Sequence, residues 1–292
     1  MIDSRTQMVG VLSWPVEHSL SPVMHNAAFE ALGMNWRYVP FPVVPGAAAA
    51  AARGLIPLGF RGANVTVPHK TDVAGGIDQL SEEAGAIGAI NTLCVEGERG
   101  AEQMLVGHNT DLAGFLDGLD HAGFDPNGKR TVIVGAGGVA RAAVYGLLRA
   151  GVQEITVLSR TLERVERLMG DLGDGSDRLT AERLTDEALV EATTRSALLV
   201  NTTPVGMWPD TERSIWPDDE PYPRETVAYD LVYVPRKTRF LRQADAAGAP
   251  CVGGLRMFVV QGARALELWT GREAPVDVMT RACEAALGGD RT

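Results

Sequence analysis

One stretch of this chain leaves little freedom in what it can fold into. Thr131-Val132-Ile133-Val134 is a β-branched run, Gly135-Ala136-Gly137-Gly138-Val139-Ala140 follows it directly, and helix-forming sequence continues from Ala140 to Ala150. Glu154 to Leu158 then supplies a second apolar strand. A strand, a glycine turn, a helix and a strand in about thirty residues is a βαβ unit, which requires a parallel sheet covered by helices.

The turn itself has a chemical reading. Gly135 permits a tight turn, Gly137 lets backbone N–H groups approach a pyrophosphate, and the small Ala140 allows the helix to pack closely on the strand. Ala136, Gly138 and Val139 complete a loop expected to cradle phosphates. Because the loop follows a buried strand and opens a helix, the glycine pattern predicts a Rossmann-type dinucleotide site.

The end of the second strand discriminates between cofactors. An NAD site places Asp or Glu there to accept from the ribose, whereas this chain has Ser159-Arg160-Thr161 with Arg164 one helical turn on. The guanidinium groups and a hydroxyl suit a 2′-phosphate, and no carboxylate stands at the strand end to repel it. The residues predict NADP, used as NADPH in the reducing direction.

Elsewhere the reading is coarser. Strands are expected at Met8 to Leu12, Asn35 to Phe41, Ala197 to Val200 and Val227 to Val232, with helices at Ala47 to Arg53, Met257 to Trp269 and Val276 to Leu287. A further helix is expected from Ser21-Pro22 to Leu32, with Ser21 as N-cap and Gly33 ending it. The chain has 292 residues, enough for two domains, and the turn Asp125-Pro126-Asn127-Gly128 marks a plausible boundary. A net charge of −10 argues against nucleic acid or an anionic membrane surface as partner. No stretch approaches the ~20 apolar residues of a membrane span, and Met1 to Leu12 does not read as a signal peptide. Cys94, Cys251 and Cys283 show no metal-binding spacing, so no metal is expected, and three separated thiols suit a reducing cytoplasm.

The chemistry must come from the first half, where specific motifs appear: Ser19-Leu20-Ser21-Pro22-Val23-Met24-His25-Asn26, Asn64-Val65-Thr66-Val67-Pro68-His69-Lys70, Gly88-Ala89-Ile90-Asn91-Thr92 and Asn109-Thr110-Asp111. With the glycine loop, Asn201-Thr202-Thr203-Pro204-Val205-Gly206-Met207 and Gln261, they occur in an order that resembles the shikimate dehydrogenase family over nearly the whole chain. The resemblance implies NADP-dependent reversible reduction of 3-dehydroshikimate to shikimate, in the chorismate pathway of aromatic amino-acid biosynthesis. It implies an N-terminal α/β catalytic domain over 1–107, a Rossmann-type NADP domain over 108–254, and C-terminal helices, 255–292, returning to the catalytic domain. The substrate is then expected in the intervening cleft.

Residue by residue, the resemblance implies Lys70 and Asp111 as a coupled proton-handling pair, with Lys70 nearest the reacting oxygen. Ser19 and Ser21 would bind the substrate carboxylate, although Ser21 read by itself is equally a plain N-cap. Asn64, Thr66 and Asn91 match positions that bind ring hydroxyls, and Tyr233 and Gln261 match positions that close the pocket. Glu82, Thr202, Thr203, Leu231 and Gly254 match positions near the cofactor.

Three positions depart from the family pattern. Ser159 replaces a frequent Asn, His108 replaces a frequent Asp, and Arg256 stands where Gly is common. Arg256 could alter the nicotinamide and substrate region or point to solvent. Quinate or aminoshikimate therefore remains an alternative substrate, and a catalytically silent ligand sensor is a more distant alternative. The sequence leaves monomer and homodimer open.

Overall fold

The computed structural model describes residues 2–98, 102–172 and 176–288, without the side chain of Ser176; Met1 and residues 289–292, the ends of the expected domains, lie outside them. The chain divides into two compact units. The first holds the residues up to Thr110 and resumes at Val259; the second is the continuous stretch Asp111 to Phe258. The crossings fall three and four residues beyond the expected boundaries at 107 and 254.

In the first unit the elements are β1 (Gln7–Ser13), α1 (Ser21–Ala31), β2 (Trp36–Pro42), α2 (Ala48–Gly54), β3 (Gly62–Val65), a 3-10 turn (Asp72–Gly76), β4 (Gln79–Leu80), α3 (Glu82–Ile87), β5 (Thr92–Glu96) and β6 (Met104–His108). The strands form one mixed sheet in the order β2-β1-β3-β5-β6-β4. β1 runs parallel to β2 and β3, β5 runs antiparallel to β3 and β6, and β4 is parallel to β6. Leu12, Ala63, Val65, Leu93 and Leu105 from the strands meet Ala48, Ala52 and Leu55 of α2 and its C-cap in a buried cluster. The alanine run of α2 thus acts as a flat packing face.

α1 starts differently from its expectation. Leu20 occupies the N-cap position in a helical conformation with no side-chain cap, and Ser21 is already the first helical residue. Pro22 explains this, since a proline fits the second helical position as well as the first, where the N–H would be unpaired anyway. Gly33 has φ 63°, the left-handed conformation expected beyond a helix end.

The second unit contains α4 (Asp111–His121), β7 (Arg130–Val134), α5 (Gly138–Arg149), β8 (Glu154–Ser159), α6 (Leu162–Leu172), β9 (Leu179–Arg183), α7 (Asp186–Thr194), β10 (Leu198–Asn201), β11 (Val227–Asp230), α8 (Arg239–Ala246) and β12 (Cys251–Gly253). All six strands are parallel, in the order β9-β8-β7-β10-β11-β12. Renumbered from β7, this is 3-2-1-4-5-6, the doubly wound dinucleotide order, and it reverses direction between β7 and β10. Buried side chains line both faces: Ile133, Ile155, Val157 and Leu198 on one, Val132, Val134, Leu158 and Leu199 on the other. A sheet covered twice explains why these strands read as continuous apolar runs.

α9 (Leu255–Thr270) carries the chain out of the second unit, and α10 (Val276–Gly288) packs on α1 in the first. No helix among the described residues is long and apolar enough to cross a membrane.

Candidate active site

The glycine loop lies at the reversal point of the second sheet. Gly135 follows β7 with φ 114° and donates its N–H to Leu158 O at 2.8 Å. A side chain there would collide with the Thr202 hydroxyl, so glycine is required by both conformation and space. Gly137 is the extended N-cap of α5, and a Cβ added to it would meet nothing within 4 Å. The loop therefore fits a pyrophosphate: open space stands over Gly137, next to the first-turn N–H groups of Gly138, Val139 and Ala140, whose helix bonding starts with Arg141 N to Gly137 O at 3.1 Å. Ala140 is fully buried in the core, as its close packing predicts. α5 begins at Gly138, two residues before the expected start, because Gly138 and Val139 already take up helical geometry.

β8 ends at Ser159, which is buried, and its Oγ accepts from Thr161 N at 3.3 Å. Arg160 and Arg164 are exposed, and among the described residues neither enters an ion pair. Thr202 donates its hydroxyl to Val134 O at 2.7 Å, which ties the turn after β10 to the strand that feeds the glycine loop. Gly254 packs on the backbone of Leu231 and Val232, too close for any side chain, so these two positions meet across the turn after β11. Tyr233 stacks on Phe258 with ring centroids 4.2 Å apart. Arg256 neither points freely to solvent nor stands as an unpaired cation: it grips Asp117 of α4 at 2.6 and 3.1 Å.

In the first unit, polar residues collect where β3 and β6 end and β5 begins. Asn64 pairs in register with Thr92, and Thr92 with His108. Asn64 accepts from the Tyr38 hydroxyl at 2.8 Å and donates to Thr92 Oγ1 at 3.0 Å and Asn91 O at 3.3 Å. Asn91 accepts from Thr110 N at 2.7 Å and donates to Thr110 Oγ1 at 2.9 Å and Gln261 Oε1 at 3.3 Å. Asn64, Asn91 and Gln261 are thus brought together from distant segments. Thr92, Thr110 and Tyr38 join them without having been assigned a role from sequence, although Thr92 and Thr110 stood inside the quoted motifs.

Lys70 lies in a turn ahead of the 3-10 segment, not at the start of an α-helix as its sequence context suggests. Pro68 leads into a short turn in which His69 N bonds Thr66 O at 2.9 Å. The buried His69 ring anchors that turn to Val43 O at 2.8 Å, and Lys70 O accepts from Ile90 N at 2.9 Å. The backbone that carries Lys70 is therefore fixed on both sides, next to the strand entry that carries Asn91. Thr66 precedes this turn, its N–H bonded to Leu12 O.

Ser19 Oγ accepts from Ser21 N at 3.3 Å, and among the described residues the Ser21 hydroxyl has no partner. Ser21 is therefore available to a ligand and does not cap its helix. Asp111, 4% exposed, is the first residue of α4 and belongs to the second unit. Glu82 is an exposed acid in the first turn of α3, whose N-cap is Ser81, and it belongs to the first unit, whereas the glycine loop is in the second. Burial lowers the pKa of His108, against a smaller opposing effect of Glu96. Among the described residues no cluster of His, Cys, Asp or Glu could hold a metal ion.

Six parallel strands in this order, with an open glycine loop at their reversal point and exposed arginines after the second strand, define a dinucleotide-binding α/β protein that carries a second α/β domain. The shikimate dehydrogenase substrate binding domain model matches residues 11–93, the shikimate/quinate 5-dehydrogenase model residues 120–206, and the shikimate 5'-dehydrogenase C-terminal domain model residues 254–284. The chain is 47% identical over 288 residues to a shikimate dehydrogenase (NADP(+)) of Moorella thermoacetica, covering 98% of this chain and 96% of that one. It matches the Thermus thermophilus shikimate 5-dehydrogenase, solved with NADP(H) and shikimate, at TM-score 0.82 and 36% identity over 97% of this chain and 100% of that chain. The Listeria monocytogenes shikimate 5-dehydrogenase, solved with shikimate and NAD, matches at TM-score 0.85 and 34% identity over 97% and 98%. The chain belongs to the shikimate dehydrogenase family.

Proposed function

We propose that this chain catalyses the reversible, NADP-dependent reduction of 3-dehydroshikimate to shikimate. The observation that carries the reading is the Asn91 network, which sets amide and hydroxyl groups at the ends of the first sheet beside a lysine whose backbone is fixed on both sides. A polyhydroxylated ring acid needs such convergent donors and acceptors, because an unpaired polar group in a dry site costs affinity.

NADPH supplies a hydride to the ring carbonyl carbon when bound. Lys70 donates the proton that the ketone oxygen needs in reduction and takes it back in oxidation. Asp111 is the carboxylate member of the proton-handling pair and hydrogen-bonds the neighbouring ring hydroxyl. Ser19 and Ser21 bind the substrate carboxylate through their hydroxyls, Asn64, Thr66 and Asn91 orient the ring hydroxyls, and Tyr233 and Gln261 are further substrate-binding residues. The first unit with its C-terminal helices is the catalytic domain and the second holds the cofactor.

The residues fit NADP. Gly135 to Ala140 would receive the pyrophosphate, while Ser159, Arg160, Thr161 and Arg164 would receive the 2′-phosphate. Thr202, Thr203, Leu231 and Gly254 line the same sheet ends, and Glu82 is also assigned to cofactor binding. A reducing cytoplasm suits the three unpaired thiols. The test is a set of initial rates with shikimate, quinate and aminoshikimate, each with NADP and NAD. Shikimate with NADP should be fastest; a quinate or aminoshikimate preference, or no turnover at all, overturns the reading.

A further inference from the structure

Asp230 is fully buried at the last position of β11, and no role follows for it from its sequence context. It pairs in register with Asn201, the last residue of β10, which itself pairs with Val134, the residue before the glycine loop. Three adjacent strands thus end side by side where such sheets bind their ligands.

The Asp230 carboxylate connects the turns that leave these strands. One oxygen accepts from Asn201 Nδ2 at 2.9 Å and Val232 N at 3.0 Å. The other accepts from the Thr238 hydroxyl at 2.5 Å, and Thr238 is the N-cap of α8. Asn201 in turn accepts from Thr203 N at 3.0 Å and Thr203 Oγ1 at 2.7 Å, and its carbonyl accepts from Leu231 N at 3.1 Å. One buried anion therefore joins the turn carrying Thr202 and Thr203, the turn carrying Leu231 and Tyr233, and the start of α8. Such placement is costly for a carboxylate: burial pushes its pKa up to about 6 against the three hydrogen bonds that lower it. A merely structural hub could be built from neutral groups without this cost.

We infer that Asp230 is a positioning residue for the nicotinamide end of the dinucleotide, acting through Asn201 and Val232 to set the two turns against which that end rests. This rests on the proposed NADP site and adds to it a residue that touches neither cofactor nor substrate.

Asp230→Asn keeps the shape but puts an amide N–H₂ where one donor must be accepted, and Thr238→Val removes one donor while Thr238→Ser retains it. The measurements are NADPH dissociation constants by fluorescence titration of the protein alone, shikimate dissociation constants by calorimetry, and thermal midpoints. Asp230→Asn should weaken NADPH about tenfold, the loss of one charge-assisted bond. Thr238→Val should weaken it in the same direction, Thr238→Ser should restore it, and shikimate binding, which depends on these turns only through Tyr233, should weaken less than NADPH binding. NADPH binding that is unchanged while the midpoint falls would overturn the inference, and so would an equal loss of both ligands. Should Asp230→Asn fail to fold, the two Thr238 variants decide the matter alone. A wild-type protein that binds no NADPH would instead refute the underlying cofactor assignment.

Discussion

The Arg256 guanidinium, in the first turn of α9, is held by Asp117 on α4 through two bonds of 2.6 and 3.1 Å. The pair is bidentate, which fixes the arginine's direction. A cation that replaces the usual glycine is thereby neutralised within the second unit. Arg256→Gly should leave the Michaelis constants for NADP and shikimate nearly unchanged. Both partners are substantially exposed, so the stability lost with the pair should be under about 1 kcal/mol, a fall in Tm of at most about 2–4 °C. A tenfold change in either Michaelis constant, about 1.4 kcal/mol, would show that Arg256 reaches the ligands.

Arg160 and Arg164 have no such ion-pair partner among the described residues. Replacing both by alanine should raise the Michaelis constant for NADP by about 10–100-fold, since charge-assisted bonds to a phosphate are worth roughly 1.5–3 kcal/mol. The constant for NAD should barely move. Equal effects on both cofactors would remove the 2′-phosphate assignment.

Lys70→Ala should lower turnover by about 10²–10⁴-fold, the span typical of a positioned proton donor. NADPH should bind as tightly as before, because Lys70 is none of the residues assigned to the pyrophosphate or the 2′-phosphate. Wild-type turnover in this variant would dismiss the proton-transfer role.

Acid stability should depend on His25. Its ring is fully buried, stacked on Tyr38 at 4.4 Å, with neither nitrogen bonded among the described residues, and burial lowers its pKa to about 3. The unfolded chain takes up this proton near pH 6.5 and the folded chain only near pH 3. Its stabilising contribution is thus complete above the unfolded value and is lost as pH falls, on the order of 5 kcal/mol by the folded one. Asp230 has the opposite sign: with its pKa raised from 3.8 to about 6, it favours the folded state increasingly as pH drops through that interval. Replacing His25 with Phe, which keeps the stack, should move the acid-unfolding midpoint lower. An unmoved midpoint would show that other groups control acid unfolding.

Much of this was legible because the decisive signals are local. The strand-to-glycine-to-helix passage at Gly135 needs only neighbouring residues to specify it, and the same holds for the missing acid after Ser159. Ser21 misled because its residue type suits a cap, whereas the Pro22 that follows allows the helix to start one residue earlier. The turn at Lys70 is not legible locally, because a proline followed by polar residues resembles a helix start, while the buried His69 ring holds that segment as a turn. α3 went unread because six residues carry too little period to see, even with Ser81 capping them. The Asp230 hub could not be read at all: its partners Asn201, Val232 and Thr238 are gathered by strand order, which no local pattern encodes.

The order in which the chain is synthesised matters for such a layout. The nucleotide-binding unit is one unbroken segment and can complete its sheet as soon as it emerges. The other unit must wait with α1 uncovered until α10 arrives, and with Asn91 and Leu93 lacking Gln261 and Trp269, so newly made protein acquires its cofactor domain before its chemistry.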